Sequence, residues 1–156
     1  MTGKRSAGIL LFRRTAEPEP EVLLGHMGGP YWTGKDARAW SLPKGEYAPE
    51  EEPEAAARRE FTEELGLPVP PGELLPLGSV RQRSGKVVTA WALAGDLDPE
   101  KAAPGTFEME WPRGSGRIQR FPEIDRFAWW PLTAAYERVV AGQRTFLDRL
   151  RTTLAG

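Results

Sequence analysis

Apolar positions along the chain fall in short runs separated by Pro, Gly and acidic residues, the rhythm of strands and turns with a few helices between them. Ala7 to Phe12 and Val22 to Leu24 are two such runs, and the EPEPE between them reads as a hairpin-like connection within one sheet. Gly25 to Ala39 is a glycine-rich loop, after which AWSLPKGE leads into an acidic, alanine-rich segment. SVRQR and KVVTAWAL flank Ser84-Gly85, a tight-turn pair, and predict an antiparallel hairpin from about Leu77 to Leu93. FEMEWP and RIQRFP, with GSG between them, predict two further strands, and Phe127 to Trp130 a final short one. From about Thr133 to Leu150 the spacing of Tyr136, Val139, Val140, Phe146, Leu147 and Leu150 predicts a helix, interrupted near Gly142.

The acidic segment is the most specific. Pro53 suits a first helical turn, Ala55, Ala56 and Ala57 are strong helix formers, and Gly66 is a left-handed stop, so Pro53 to Leu65 is expected to be helical. At about 100° per residue, Ala57, Phe61 and Leu65 form an apolar stripe while Glu60, Glu63 and Glu64 share a neighbouring arc. Like charges at these spacings repel by a few tenths of a kcal/mol per exposed pair, and a bound cation would reverse that cost. An all-oxygen donor set without Cys or clustered His selects a hard ion such as Mg²⁺ or Mn²⁺, which completes its shell with water and phosphate oxygens. The plainer alternative is a solvated helix face.

The spacing of the whole segment decides between them. Gly45, Glu51, Arg59, Glu60, Phe61, Glu63, Glu64, Gly66 and Leu67 fit G-x5-E-x7-R-E-U-x-E-E-x-G-U, with U apolar, at every specified position. This is the Nudix box, residues 45–67, and the chain resembles the Nudix hydrolase superfamily, in particular its MutT-like and dinucleoside polyphosphate hydrolase-like branches. Phe61 is bulkier than the aliphatic residue usual at its position. The resemblance implies an α/β fold, an α/β/α sandwich with a mixed β-sheet. It implies metal ligation by Glu60, Glu63 and Glu64 with the backbone carbonyl of Lys44, and structural or orienting roles for Glu51 and Arg59. Gly45 is expected to let the backbone turn sharply toward the metal.

The implied reaction is cleavage of a diphosphate bond by metal-activated water, a pyrophosphohydrolase activity. Metal ions neutralise the phosphates, acidify a bound water and hold it in line, and a nearby carboxylate takes its proton. Glu63 or Glu60 is the candidate base within the box, with Glu108, Glu110 and Glu123 as candidates outside it. Trp40 to Gly45 form W-x-x-P-K-G, similar to a segment in family members that act on diadenosine polyphosphates and in some MutT-like triphosphate pyrophosphohydrolases. Lys44 is therefore a candidate phosphate contact, and Trp40 is expected to pack behind the metal loop. Tyr31, Trp32 and Tyr47 are the candidate base-stacking residues, while Trp91, Trp111, Trp129 and Trp130 sit in strand-like segments and are expected in the core. His26, the only histidine, is more simply a loop residue than a catalyst.

Composition narrows the remaining choices. With 156 residues, 40% hydrophobic, the chain is expected to form a single domain spanning 1–156. The absence of cysteine rules out disulfides and thiolate chemistry, including the cysteine used in isopentenyl diphosphate isomerisation, and fits a cytoplasmic protein. The apolar run in MTGKRSAGILLFRR is too short for a signal peptide or a membrane span. The net charge is −1, but residues 46–64 hold eight acids and two arginines, a net of −6, which leaves +5 elsewhere. Arg81, Arg83 and Lys86, or Arg113, Arg117 and Arg120, are candidates to meet distal phosphates, with Arg81 preferred. No long basic tract points to nucleic acid. The expected partner is thus a nucleoside diphosphate-linked small molecule, either a nucleoside triphosphate or a dinucleoside polyphosphate such as diadenosine tetraphosphate. A homodimer remains compatible, and a catalytically inactive nucleotide-sensing module is the alternative function.

Overall fold

A computed structural model describes residues 4–155; residues 1–3, at the head of the segment weighed as a leader, and Gly156 lie outside the described residues. Strand β1 (Arg5–Arg13) is buried on both faces, so its side chains alternate between two cores rather than between core and water. It runs parallel to β6 (Val87–Ala94), which pairs antiparallel with β5 (Leu75–Arg81), and on its other edge it meets β2 (Glu21–Met27) antiparallel. Strand β9 (Ile124–Pro131) covers the far edge of β2. The sheet is therefore mixed.

Strands β1 and β2 pair only at Phe12↔Val22 and Arg13↔Glu21, then diverge. Two short strands occupy the fork: β3 (Trp40–Ser41) on β2 and β4 (Lys44–Glu46) on β1. Gly8 makes this possible, since a Cβ there would lie 2.3 Å from Leu42 Cδ1 and 2.5 Å from the Pro43 carbonyl oxygen. The box thus begins inside the sheet.

Helix α1 (Pro53–Leu65) has the expected bounds, with Pro53 in its first turn and Gly66 at φ 70° ending it. Its buried Ala56, Ala57, Phe61 and Leu65 pack with Ala7, Ile9, Leu11 and Leu23 on one face of the sheet. Leu10, Phe12 and Leu24 point to the opposite face and meet Leu132, Ala135, Val139, Phe146, Leu147 and Leu150 from the C-terminal helices. This is the expected α/β/α layering.

Four local features go beyond the sequence expectations. The interruption expected near Gly142 divides the C-terminal helix into α2 (Leu132–Arg138) and α3 (Arg144–Ala155), with an extended Val139 and a short 3-10 turn at Ala141–Gln143 between them. The break is a contact: the Val140 N–H donates to the Trp40 carbonyl at 2.9 Å, and Trp40 and Val139 form a parallel bridge. The expected loop from Gly25 loses its first three residues to β2, and Trp40–Ser41 and Lys44–Glu46 within the lead-in to the box are strands. FEMEWP and RIQRFP become β7 (Thr106–Glu110) and β8 (Ile118–Pro122), a hairpin paired only with itself and apart from the main sheet.

Candidate functional site

The site is built where β4 runs beneath α1. Gly45 is an extended residue opposite Ala7, so the expected sharp turn there is absent. Its smallness serves close approach instead, because a Cβ would sit 1.9 Å from Glu60 Oε2. Pairing also sets the direction of the backbone groups. The Ile9 N–H donates to the Pro43 carbonyl at 3.1 Å and the Tyr47 N–H to the Arg5 carbonyl at 3.1 Å. By antiparallel alternation, the N–H and C=O of Lys44 then face away from β1. On that side the Lys44 backbone favours the charged form of the Glu64 carboxylate, so the Lys44 carbonyl lies where the box carboxylates gather.

Arg59 holds three of those carboxylates. Its Nε and Nη2 donate to Glu51 at 2.8 Å each, and Nη1 donates to Glu60 at 2.8 Å and to Glu63 at 3.1 and 3.2 Å. The hydrogen bonds from Arg59 draw the Glu51 carboxyl below its ordinary range, and the carboxylates raise Arg59 in turn. Glu60 behaves oppositely. Burial raises its carboxyl, with Arg59 pulling it back. Glu64 is shifted furthest: burial pushes it up to about 8, against the attraction of the Lys44 ammonium and with added repulsion from Glu123 and Glu60. Lys44 is lowered by burial and by Lys86, its acidic neighbours opposing this.

This donor set suits a hard divalent cation. It is all oxygen, and desolvated carboxylates beside one another are stabilised by positive charge. Among the described residues, no group of three or more Asp, Glu or His side chains is gathered closely enough to hold a metal as it stands. Ligation by Glu60, Glu63 and Glu64 together therefore requires their carboxylates to draw closer; Arg59 occupies only Oε1 of Glu60, which leaves Oε2 open.

The other candidates are dispersed. Glu110 accepts the N–H groups of Gly114 at 2.9 Å and Gly116 at 3.1 Å at the tip of the β7–β8 hairpin, and Glu108 pairs with Arg120 at 3.3 Å. Glu123, at the hairpin base, is the one that adjoins Glu64. Lys44 and Arg81 line a common cavity. Trp32 packs on the core beneath α2 and α3, and Tyr47 on the core beneath α1. Tyr31 is 46% exposed and stands edge-to-face with Trp111 at 5.3 Å, its hydroxyl accepting from Arg113 at 2.7 Å. Trp111 belongs to neither core cluster, contrary to expectation, because it follows the end of β7 on the projecting hairpin, whereas Trp91, Trp129 and Trp130 pack as expected.

Trp40 is buried edge-to-face between His26 and Trp130, and its Nε1 donates to Asp36 at 3.1 Å. His26 is likewise buried, with Nδ1 2.9 Å from Asp125 and Nε2 2.6 Å from the Lys35 carbonyl oxygen, so it ties the glycine-rich loop to β9. Sequence reasoning missed Gln143. This buried amide accepts from the Leu42 N–H and donates to Ser41 Oγ, both at 2.9 Å, and so fixes the chain two residues ahead of Lys44. No local signal marks it, because its partners lie about a hundred residues away.

No curated protein matches the chain. Among solved structures it is similar to an Ap4A hydrolase from C. elegans in a binary complex, with 22% identity over 97% of this chain and 98% of that one and a TM-score of 0.66. It is also similar to the NUDIX domain of Shewanella oneidensis NrtR complexed with ADP ribose, at 18% identity, 99% and 90% coverage and a TM-score of 0.65. A MutT protein from Methanosarcina mazei Go1 gives 20% identity, 99% and 97% coverage and a TM-score of 0.60. These likenesses concern the fold. The NUDIX domain model matches residues 2–150, and the chain belongs to the NUDIX family, the hydrolase family that its box predicts.

Proposed function

We propose that the protein is a divalent-metal-dependent pyrophosphohydrolase that cuts a diphosphate bond in a nucleoside polyphosphate, either a nucleoside triphosphate or a dinucleoside polyphosphate. The observation that carries this reading is the crowding of carboxylates on α1: Glu64, half-buried and raised to about 8, stands against Glu60 and Glu123 beside Lys44. A partly desolvated carboxyl crowded by like charges is costly to keep unless a ligand rewards its charged form. Glu60, Glu63, Glu64 and the Lys44 carbonyl are the proposed ligands of Mg²⁺ or Mn²⁺. A bound ion of this kind would neutralise phosphate charge and acidify a water.

The chain's own residues supply the rest. Arg59, anchored bidentately on Glu51, orients Glu60 and Glu63. Glu63 or Glu60 is the proposed base within the box, and Glu123 is the base candidate outside it that lies near Glu64. The Ap4A hydrolase likeness agrees with a polyphosphate substrate. A second reading, a nucleotide-sensing module without turnover, is favoured by the hold of Arg59 on Glu60 and Glu63 and by the ADP ribose complex of the similar NrtR domain.

Glu64→Gln keeps the size and removes the charge. Metal-dependent turnover is expected to fall by about 100-fold or more, with circular dichroism unchanged. Near-wild-type turnover in the variant would remove Glu64 from the reaction. Tight nucleotide binding with no turnover under Mg²⁺ or Mn²⁺ would favour the sensor.

A further inference from the structure

The β5–β6 hairpin gathers cations that the box does not use. Arg81 ends β5, and Arg83 and Lys86 stand on either side of the Ser84-Gly85 turn. Together with Lys44 from β4 they line a cavity of about 450 Å³, whose wall includes Ser41 and the buried Gln143. Four cations and no carboxylate face this space. Lys86 is pinned to Glu46 at 3.5 Å, whereas neither Arg81 nor Arg83 is in an ion pair among the described residues.

Such a cluster repels itself, and a polyanion reverses the sign of that repulsion. No aromatic side chain lines the cavity, so nothing in it stacks a base. Guanidinium forks suit phosphate oxygens, and a lysine adds a point charge that adapts to phosphate position. Lys44 connects this space to the carboxylates, because it lines the cavity while its ammonium attracts Glu64.

We propose that this cavity receives a linear polyphosphate tail, the phosphates lying beyond the bond that is cut. The chain then selects substrates with three or more phosphates in a row over diphosphate-linked sugars, and Arg81 and Arg83 are its specificity residues. The inference rests on the reading that the carboxylate face of α1 engages the scissile diphosphate. It adds the identity of the neighbouring group, which the box leaves open.

The test separates the two claims. Calorimetric titration of the full chain in EDTA with orthophosphate, pyrophosphate and tripolyphosphate is expected to give affinity rising with chain length. The double variant Arg81→Gln/Arg83→Gln is expected to weaken tripolyphosphate binding by at least about tenfold, and Arg81→Lys/Arg83→Lys to retain most of it. Unchanged melting temperatures establish that the variants are folded. Equal binding of orthophosphate and tripolyphosphate, or wild-type affinity in the glutamine double variant, would overturn the cavity assignment. With Mg²⁺, adenosine tetraphosphate is expected to exceed ADP-ribose in kcat/KM, and the glutamine variant to raise KM for the former; a preference for ADP-ribose would also overturn it. Turnover of neither compound by the wild type would sink the hydrolase reading, while the metal-free titration still decides the cavity.

Discussion

Glu64 couples the stability of the fold to pH. Its carboxyl is raised to about 8 in the folded chain, above the ordinary range near 4.5, so folding favours its neutral form. The associated stability is fully present below pH 4.5 and is lost as pH rises through about 8, a change on the order of a few kcal/mol. Glu64→Gln is neutral at every pH. In EDTA the variant should match the wild type near pH 4 and melt higher at pH 8 to 9, by about 2–4 °C per kcal/mol. Added Mg²⁺ should then raise the melting temperature of the wild type and not that of the variant. A wild type that melts as high as the variant at pH 9 without metal would show that burial of Glu64 carries no such cost. Gly45→Ala tests the other side of the contact. The new Cβ meets the mobile end of Glu60, so the strand should persist while the carboxylate moves, giving near-native melting and at least about tenfold slower metal-dependent turnover. Unchanged turnover would show that Glu60 need not lie against β4.

The short strands β3 and β4 owe their position to contacts from distant parts of the chain. Gln143 bonds the Leu42 N–H and the Ser41 hydroxyl, and the broken helix places it there through the Val140 to Trp40 bond. Gln143→Ala leaves both groups buried without that partner, and should cost about 1–3 kcal/mol, read as a lower denaturant midpoint at unchanged slope. It should also speed amide exchange at Leu42, and a protected Leu42 amide in the variant would contradict the clamp. Legibility in the sequence follows this division between local and distant contacts. Helix α1 was readable to its ends because Pro53 and Gly66 act locally, and β1, β2, β5 and β6 were readable from apolar runs whose cores lie within each strand. The interruption near Gly142 was readable from the glycine, whereas the two-residue strand at Trp40 and the outward placement of Trp111 depend on partners remote in sequence. The local patterns of these two resembled those of a loop and a core strand.

Across the whole molecule, the two faces of the sheet divide the work. One carries α1 and its carboxylates, the other is covered by α2 and α3, and the fork between β1 and β2 admits the strand that brings Lys44 beside Glu64. The box made the carboxylate face legible from spacing alone, since one helix contributes all of it. The basic cavity was legible only as scattered cations, because β4 and the β5–β6 hairpin meet in space rather than in sequence. Among the described residues, no helix is long and apolar enough to cross a membrane. Metal-dependent cleavage is tested most directly by product analysis after incubating the full chain with diadenosine tetraphosphate, ATP and ADP-ribose in Mg²⁺ or Mn²⁺. Cleavage at a diphosphate bond of at least one polyphosphate is expected, abolished by EDTA and by Glu64→Gln. Turnover that persists without divalent metal, or none with any of the three, would contradict the hydrolase reading.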